Sequence, residues 1–348
     1  MYNGNTVGVV VPAYNEQGFV GEVIDTVPDF VDRVYVVDDC STDDTWQEIR
    51  DHAERVNSTG SATEDDAEVD GDDEESRPDD PQPTLADGGL ATSNRVVPMR
   101  HATNQGVGGA IKTGYRRARE EDVDVTAVMA GDGQMDPDLL VRLIDPIVNE
   151  GADYAKGNRL LSPEFRADMP RFRLVGNWML SVLTKISSGY WNTGDPQNGY
   201  TAISGRALDE LDIDSLYDDY GFANELLVRL NCHDMRVADV ATPAMYGDEE
   251  STIEYHTFIP KVSWLLLSNF ASRLRTNLAE RGSRATVAAY LLGAVGLVSS
   301  LVAGLVAGLG AFGAMLVGSL LLLGAAMSLD RASGEELEMQ VTEGVEGA

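Results

Sequence analysis

The chain has 348 residues, with 57 Asp and Glu against 26 Lys and Arg and a formal net charge of −31. That balance excludes nucleic acid as a partner, because phosphate backbones bind basic surfaces, and a 43% hydrophobic content excludes wholesale disorder. Lysine occurs only as Lys112, Lys156, Lys185 and Lys261, and the acidic excess reads as a surface adapted to high salt, where screening weakens mutual repulsion.

In chain order, Met1–Thr6 leads straight into an apolar run at Val7–Val11, with no leader peptide read there. Pro12–Glu16 and a helical pattern through Val27 follow, then a second apolar run at Arg33–Val37. The turn Asp38-Asp39-Cys40-Ser41-Thr42-Asp43-Asp44-Thr45 is rich in residues that cap helices, and the helix it opens is expected to end near Val56. Residues 57–94 carry twelve acids and three prolines, and read as a solvated, disordered insertion inside a domain.

Strand-helix alternation resumes with a strand at Arg95–Met99, a helix at Gly106–Glu120 and a strand at Val123–Met129. Asp136 then suits an N-cap and Pro137 a first helical position, for a helix running to Asn149. Repeated strand-helix units predict a mostly parallel sheet sandwiched by helices, with its site at the carboxyl ends of the strands. Tyr14, Asp39 and Asp132 follow three different strands at that edge.

Beyond Tyr154, the pattern predicts helices at Phe172–Ser188 and Tyr220–Asn231 and extended chain at Asn198–Ser204. Phe258–Leu274 has apolar residues near four-residue spacing, an aromatic and flanking Lys261, Arg273 and Arg275, and reads as an interfacial helix lying on a bilayer. No charge occurs from Ala285 to Leu329. As one helix those residues would be roughly 68 Å long, against a hydrocarbon core of about 30 Å. Two spans with a Gly-rich turn near Gly304–Gly313 fit better. The preceding arginines place the large domain in the cytoplasm. The expected organisation is therefore a catalytic domain over 1–250, interfacial helices over 251–284, two transmembrane helices over 285–329 and an acidic cytoplasmic tail over 330–348. Cys40 and Cys232 form neither a disulfide framework nor a metal-ligand pair.

Several positions carry candidate chemistry. Asp132, at a strand end, suits a hard divalent cation bridging the phosphates of a nucleotide-sugar, or simply tightens a Gly-rich turn. Gln134 offers a neutral oxygen beside it. Asp38-Asp39 suits ribose hydroxyls or a base N–H, or a capping turn. Asn104-Gln105-Gly106-Val107-Gly108-Gly109-Ala110 opens a helix whose glycines either admit a phosphate to the positive helix end or permit close packing. Glu225 reads either as a residue on the acceptor side or as an exposed helical Glu.

These segments, Val10–Glu16, Val37–Thr45, Asn104–Ala110 and Gly131–Pro137, resemble in their order family 2 glycosyltransferases of the GT-A fold. The resemblance implies an α/β domain in which Pro12, Ala13, Tyr14, Glu16, Asp38, Asp39, Gly108, Lys112, Gly131 and Asp132 hold the nucleotide-sugar. It also implies Mg²⁺ or Mn²⁺ on Asp132 and Gln134. Asp132 matches the last acid of the family's D-x-D motif, while the first acid falls at Ala130. Gly157-Asn158-Arg159, Arg171, Arg173, Asn177 and Asn198–Ser204 are similar to the acceptor half of dolichyl-phosphate mannose and glucose synthases. There Arg159 and Arg171 or Arg173 would grip the acceptor phosphate and donor diphosphate. The implied activity is inverting transfer of a hexose, from UDP-glucose first and GDP-mannose next, to dolichyl or polyprenyl phosphate, feeding glycosylation. Another acceptor, or a membrane scaffold that has lost catalysis, stands as the alternative; a homo-oligomer is left open.

Overall fold

A computed structural model describes residues 1–61, 94–161, 171–243, 255–307 and 309–342. Most of the acidic insertion, residues 62–93, lies outside this set. The first elements are strand β1 (Val7–Ala13), helix α1 (Val20–Thr26), β2 (Arg33–Asp38) and α2 (Thr45–Ser61). Helix α2 runs past Val56 to Ser61, five residues into the expected insertion. Then come β3 (Val96–Arg100), α3 (Val107–Glu120), β4 (Val125–Val128), α4 (Leu140–Glu150), β5 (Tyr154–Asn158) and α5 (Arg171–Ser188). The sheet-and-helix part closes with β6 (Thr201–Ser204), α6 (Gly205–Glu210), α7 (Phe222–Cys232) and β7 (Val237–Ala241).

The sheet has the order β3-β2-β1-β4-β6-β5-β7, with an eighth strand beside β7. Strand β6 is antiparallel to both neighbours, and the other pairings are parallel. Continuous valine runs in β1 and β2 follow from helices covering both faces. Val7, Val9 and Val11 pack with α1, α2 and α4, whereas Val10, Tyr35 and Val37 pack with α3, α6 and α7. Because β1, β2 and β4 run parallel, the segments after Ala13, Asp38 and Val128 emerge at one edge.

Three long helices follow: α8 (Tyr255–Ala279), α9 (Arg284–Ala307) and α10 (Leu309–Gly334). Helix α8 turns Val262, Leu266 and Leu274 inward and leaves Trp264 71% and Leu267 58% exposed. Arg273, expected as a basic flank facing lipid headgroups, is buried instead. Its guanidinium binds Asp330 at 2.8 and 2.9 Å and the carbonyls of Ile186 and Ser187 at the end of α5. Helices α9 and α10 form an antiparallel hairpin, with the end of α9 at Ala307 and the start of α10 at Leu309 both inside the expected turn region. A side chain at Gly293 would collide with Leu323, so glycine lets the pair close. Both helices are long and apolar enough to cross a membrane, and Leu305 and Leu309 at the tip are 89% and 88% exposed.

Part of the segment read as an acidic tail belongs to regular elements. Helix α10 continues to Gly334, and a last strand, β8 (Glu338–Val341), returns to the sheet parallel to β7. The helical hairpin therefore leaves the sheet and the chain comes back to it.

Candidate active site

At the shared sheet edge, three backbone segments are tied together. The Asp39 N–H donates to Ala13 O at 2.9 Å and the Gly131 N–H to Pro12 O at 3.1 Å. A Cβ on Gly131 would sit 3.1 Å from that of Ala13, so glycine permits the approach that sets Asp132 beside the β1 turn. Asn15 adopts φ +58° and Cys40 φ +65°, and the two turns interlock: Asn15 N–H donates to Ser41 Oγ and Thr42 N–H to Asn15 Oδ1, both at 2.9 Å. Tyr14 is 46% exposed at this edge.

The paired acids after β2 face inward. Asp38 accepts from the Ser41 N–H at 2.9 Å and pairs with Arg100 at 2.9 Å. Asp39, 3% exposed, accepts from the N–H groups of Gln105 and Gly106 at 2.8 and 2.7 Å and meets His101 Nδ1 at 2.7 Å. It thus fixes the segment that opens α3. His101, whose other ring nitrogen lies 2.9 Å from Thr113 Oγ1, was not singled out from sequence; a lone His in a strand-to-helix loop gives no signal.

Two expected nucleotide ligands are placed elsewhere. A Cβ at Gly108 would lie 2.5 Å from Tyr217 O, and the Gly109 N–H donates to Asp218 O at 3.0 Å. The glycines therefore admit the 217–219 backbone, the close-packing alternative. Lys112 is 4% exposed, donates to Leu216 O at 2.7 Å and pairs with Asp218. Its charge anchors that same segment. Glu225, 6% exposed, accepts from the Tyr217 N–H at 2.9 Å, so it is neither an exposed helical residue nor on the cavity.

Asp132, Gln134 and Arg159 do come together. They line one cavity of about 190 Å³ with Met135, Asp136 and Tyr200 among its other walls. Asp132 is half-buried, and its carboxylate accepts from the Gln134 N–H at 3.0 Å across Gly133 at φ +71°. The N-cap read at Asp136 is present: its side chain accepts from the Asp138 N–H at 2.9 Å, with Pro137 next in line. Tyr200 donates to Asp136 O at 2.9 Å. Burial, with help from the Asp136 and Asp138 charges, raises the Tyr200 phenol well above its ordinary value, so it acts as a donor and not as a base.

Arg159 is held from behind by Asp195, a residue not singled out from sequence. Arg159 Nε and Nη2 reach the two Asp195 oxygens at 2.7 and 2.9 Å, and the Arg159 N–H adds a third bond at 3.1 Å. Burial alone would raise the Asp195 carboxyl, but the Arg159 hydrogen bonds and charge outweigh it and hold the group below its ordinary value. Arg171 and Arg173 begin α5, but their side chains lie outside the described residues.

Among the described residues no cluster of three His, Cys, Asp or Glu could enclose a metal ion. The half-exposed Asp132 carboxylate and the Gln134 amide still suit a cation that takes its remaining ligands from substrate phosphates and water.

A model of glycosyl transferase family 2 matches residues 8–61 and 73–212, more than half of the chain. The chain is 27% identical over 241 residues to the UDP-N-acetylglucosamine–dolichyl-phosphate N-acetylglucosaminyltransferase of Methanococcus voltae, covering 69% of this chain and 86% of that one. It is 29% identical over 156 residues to the undecaprenyl-phosphate mannosyltransferase of Micrococcus luteus, covering 44% and 63%. A crystal structure of glucosyl-3-phosphoglycerate synthase from Mycobacterium tuberculosis, with Mn²⁺, UDP-glucose and phosphoglyceric acid, is similar at a TM-score of 0.47. That similarity carries 20% identity and covers 78% of this chain and 80% of the other. The mixed sheet with its loaded carboxyl edge is the GT-A glycosyltransferase architecture. The chain belongs to glycosyl transferase family 2.

Proposed function

We propose that this protein transfers a sugar from a nucleotide-sugar to the phosphate of a polyprenyl or dolichyl lipid, at the cytoplasmic face of the membrane that its C-terminal hairpin spans. The observation that carries the reading is the cavity in which Asp132, on the β1–β4 edge, faces Arg159, on the β5 side. One wall suits a donor diphosphate and the other an acceptor phosphate. Two relatives named for different sugars share a polyprenyl-type phosphate acceptor in their names, which supports the acceptor class more than the sugar. UDP-glucose is the first donor to try and GDP-mannose the next. The name of the Methanococcus relative adds UDP-N-acetylglucosamine to the panel.

Pro12, Ala13, Tyr14 and Glu16, with the Asp38 and Asp39 turn beside them, would cradle the nucleotide. Asp39 contributes by rigidity, since both its oxygens accept hydrogen bonds within the protein, while Asp38 bonds the Ser41 N–H through one oxygen and faces the Arg100 charge with the other. A phosphate monoester with a second pKa of about 6 is already largely a nucleophilic anion near neutrality, so no general base is needed. One of its oxygens forms the bond to the anomeric carbon as the bond from that carbon to the nucleoside diphosphate breaks. The anomeric configuration inverts. Arg159, with a fork suited to phosphate oxygens, orients the incoming group, and Arg171 or Arg173 assists. Mg²⁺ or Mn²⁺ held by Asp132 and Gln134 would supply positive charge at the departing diphosphate.

The test uses membranes carrying the protein, in high salt with Mg²⁺ or Mn²⁺, polyprenyl phosphate and labelled nucleotide-sugars. Label should enter the organic phase, and Asp132→Ala should reduce it at least ~100-fold, the scale of removing a main electrostatic stabiliser. Transfer unchanged in Asp132→Ala would sink the site assignment.

A further inference from the structure

The chain between α5 and β6 is held in an unusual way. The backbone N–H groups of five consecutive residues, 191 to 195, each donate to a side chain far away in sequence. Trp191, Asn192 and Thr193 donate to the Glu338 carboxylate at 2.8, 2.6 and 3.1 Å, and the Thr193 hydroxyl adds a fourth bond at 3.3 Å. Gly194 donates to Asp239 at 3.2 Å and Asp195 to Ser181 Oγ at 3.2 Å. Asp195 sits at φ +46°, a backbone region that residues with side chains rarely occupy, and from there it grips Arg159. Glu338 belongs to β8, beyond the membrane hairpin. In the β7–β8 ladder Val237 pairs with Glu338 and Asp239 with Gln340, so the register places both carboxylates under the same loop.

We infer that Glu338 is a positioning residue: the strand that returns from the membrane fixes the 191–195 loop, and through Asp195 it sets Arg159 at the cavity. The inference rests on the proposed role of Arg159 toward the acceptor phosphate. The chemistry requires a carboxylate. Four donors converge on two oxygens, and a Gln in its place would turn an NH₂ group toward N–H groups that need an acceptor. Unpaired donors would then push the loop off its position.

A plain fold staple would make the same contacts but would not act through Arg159. The experiment therefore uses the full chain in membranes as wild type, Glu338→Gln, Glu338→Asp, Arg159→Ala and the Glu338→Gln/Arg159→Ala double variant. Folded amount, kcat and the KM for polyprenyl phosphate are measured for each. Glu338→Gln should raise that KM about tenfold with kcat within about twofold, the scale of one or two lost hydrogen bonds. In the Arg159→Ala background the same change should add less than about twofold, because coupled residues are not additive. Glu338→Asp, which keeps the charge one methylene further back, should fall between wild type and Glu338→Gln. An unchanged KM in Glu338→Gln, full additivity in the double variant, or loss of folded protein in both Glu338 variants overturns the proposal while the lipid-phosphate reading stands. A wild type that transfers nothing to polyprenyl phosphate defeats the reading itself and this inference with it, whereas an Arg159→Ala variant with normal KM overturns this inference alone.

Discussion

Asp195 is fully buried, and it remains ionised there because Arg159 gives it three hydrogen bonds and a compensating charge. Asp195→Ala would strip the arginine of its orientation and leave its charge poorly paired. The expected destabilisation is about 3 kcal/mol, the low end for a broken buried pair, since 26% of the Arg159 side chain stays in water. Chemical denaturation of the purified protein measures it. The pH dependence has a defined sign. A carboxyl held below its ordinary value in the folded protein stabilises fully above the unfolded value, and that contribution is lost as pH falls through the folded one. The stability gap between wild type and Asp195→Ala should therefore be constant near neutrality and close only below the ordinary carboxylate range, roughly pH 4. A gap that closes already between pH 7 and 6 would mean that another group controls it.

At the scale of elements, α3 and the 214–219 segment are locked by backbone contact. Gly108→Ala would place a methyl group 2.5 Å from the Tyr217 carbonyl oxygen, and neither backbone can yield cheaply. A loss of about 1–3 kcal/mol is expected from such overpacking, read as a lowered thermal midpoint, with a far smaller effect from Ala at the open Gly324. This contact also shows where reading the sequence stops. A glycine-rich helix start followed by Lys112 has the pattern of a phosphate cradle, but its actual partners lie about a hundred residues downstream, at Asp214, Leu216 and Asp218. Local pattern cannot reveal them. The strands at 7–13 and 33–38 were legible because burial on both faces leaves uninterrupted valine runs. The Asp136-Pro137 start and the Gly131–Asp132 turn were legible because capping and tight-turn chemistry is local. Strand β8 was not: Glu338–Val341 is a short, half-exposed edge segment with an acid at its head, and only its pairing with β7 makes it a strand. Asp195, likewise, becomes meaningful only through Arg159.

The whole molecule is governed by its charge and by where the hairpin enters and leaves. A net charge of −31 makes self-repulsion a large unfavourable term, and the Debye length shrinks from about 10 Å at 0.1 M salt to about 3 Å at 1 M. The thermal midpoint should rise steadily over that range; a flat response would mean that the acidic surface is not a salt adaptation. The topology follows from β8. Because the chain after α10 pairs with the strand before α8 in one sheet, the two ends of the hairpin must lie on the same side of any bilayer it crosses. Arg281 and Arg284 stand near the entry and Arg331 near the exit. Positive residues flanking spans favour the cytoplasm, so the domain, β8 and the entry of α9 should all be cytoplasmic, with the Leu309 tip opposite. With Cys40 and Cys232 changed to Ser, single cysteines at the exposed positions Glu336 and Leu309 report on this directly. An impermeant maleimide should label Leu309→Cys in intact cells and Glu336→Cys only after the cells are opened. Labelling of both in intact cells would reverse the sidedness of the exit, and labelling of neither would mean that the hairpin tip stays within the bilayer or on its inner face.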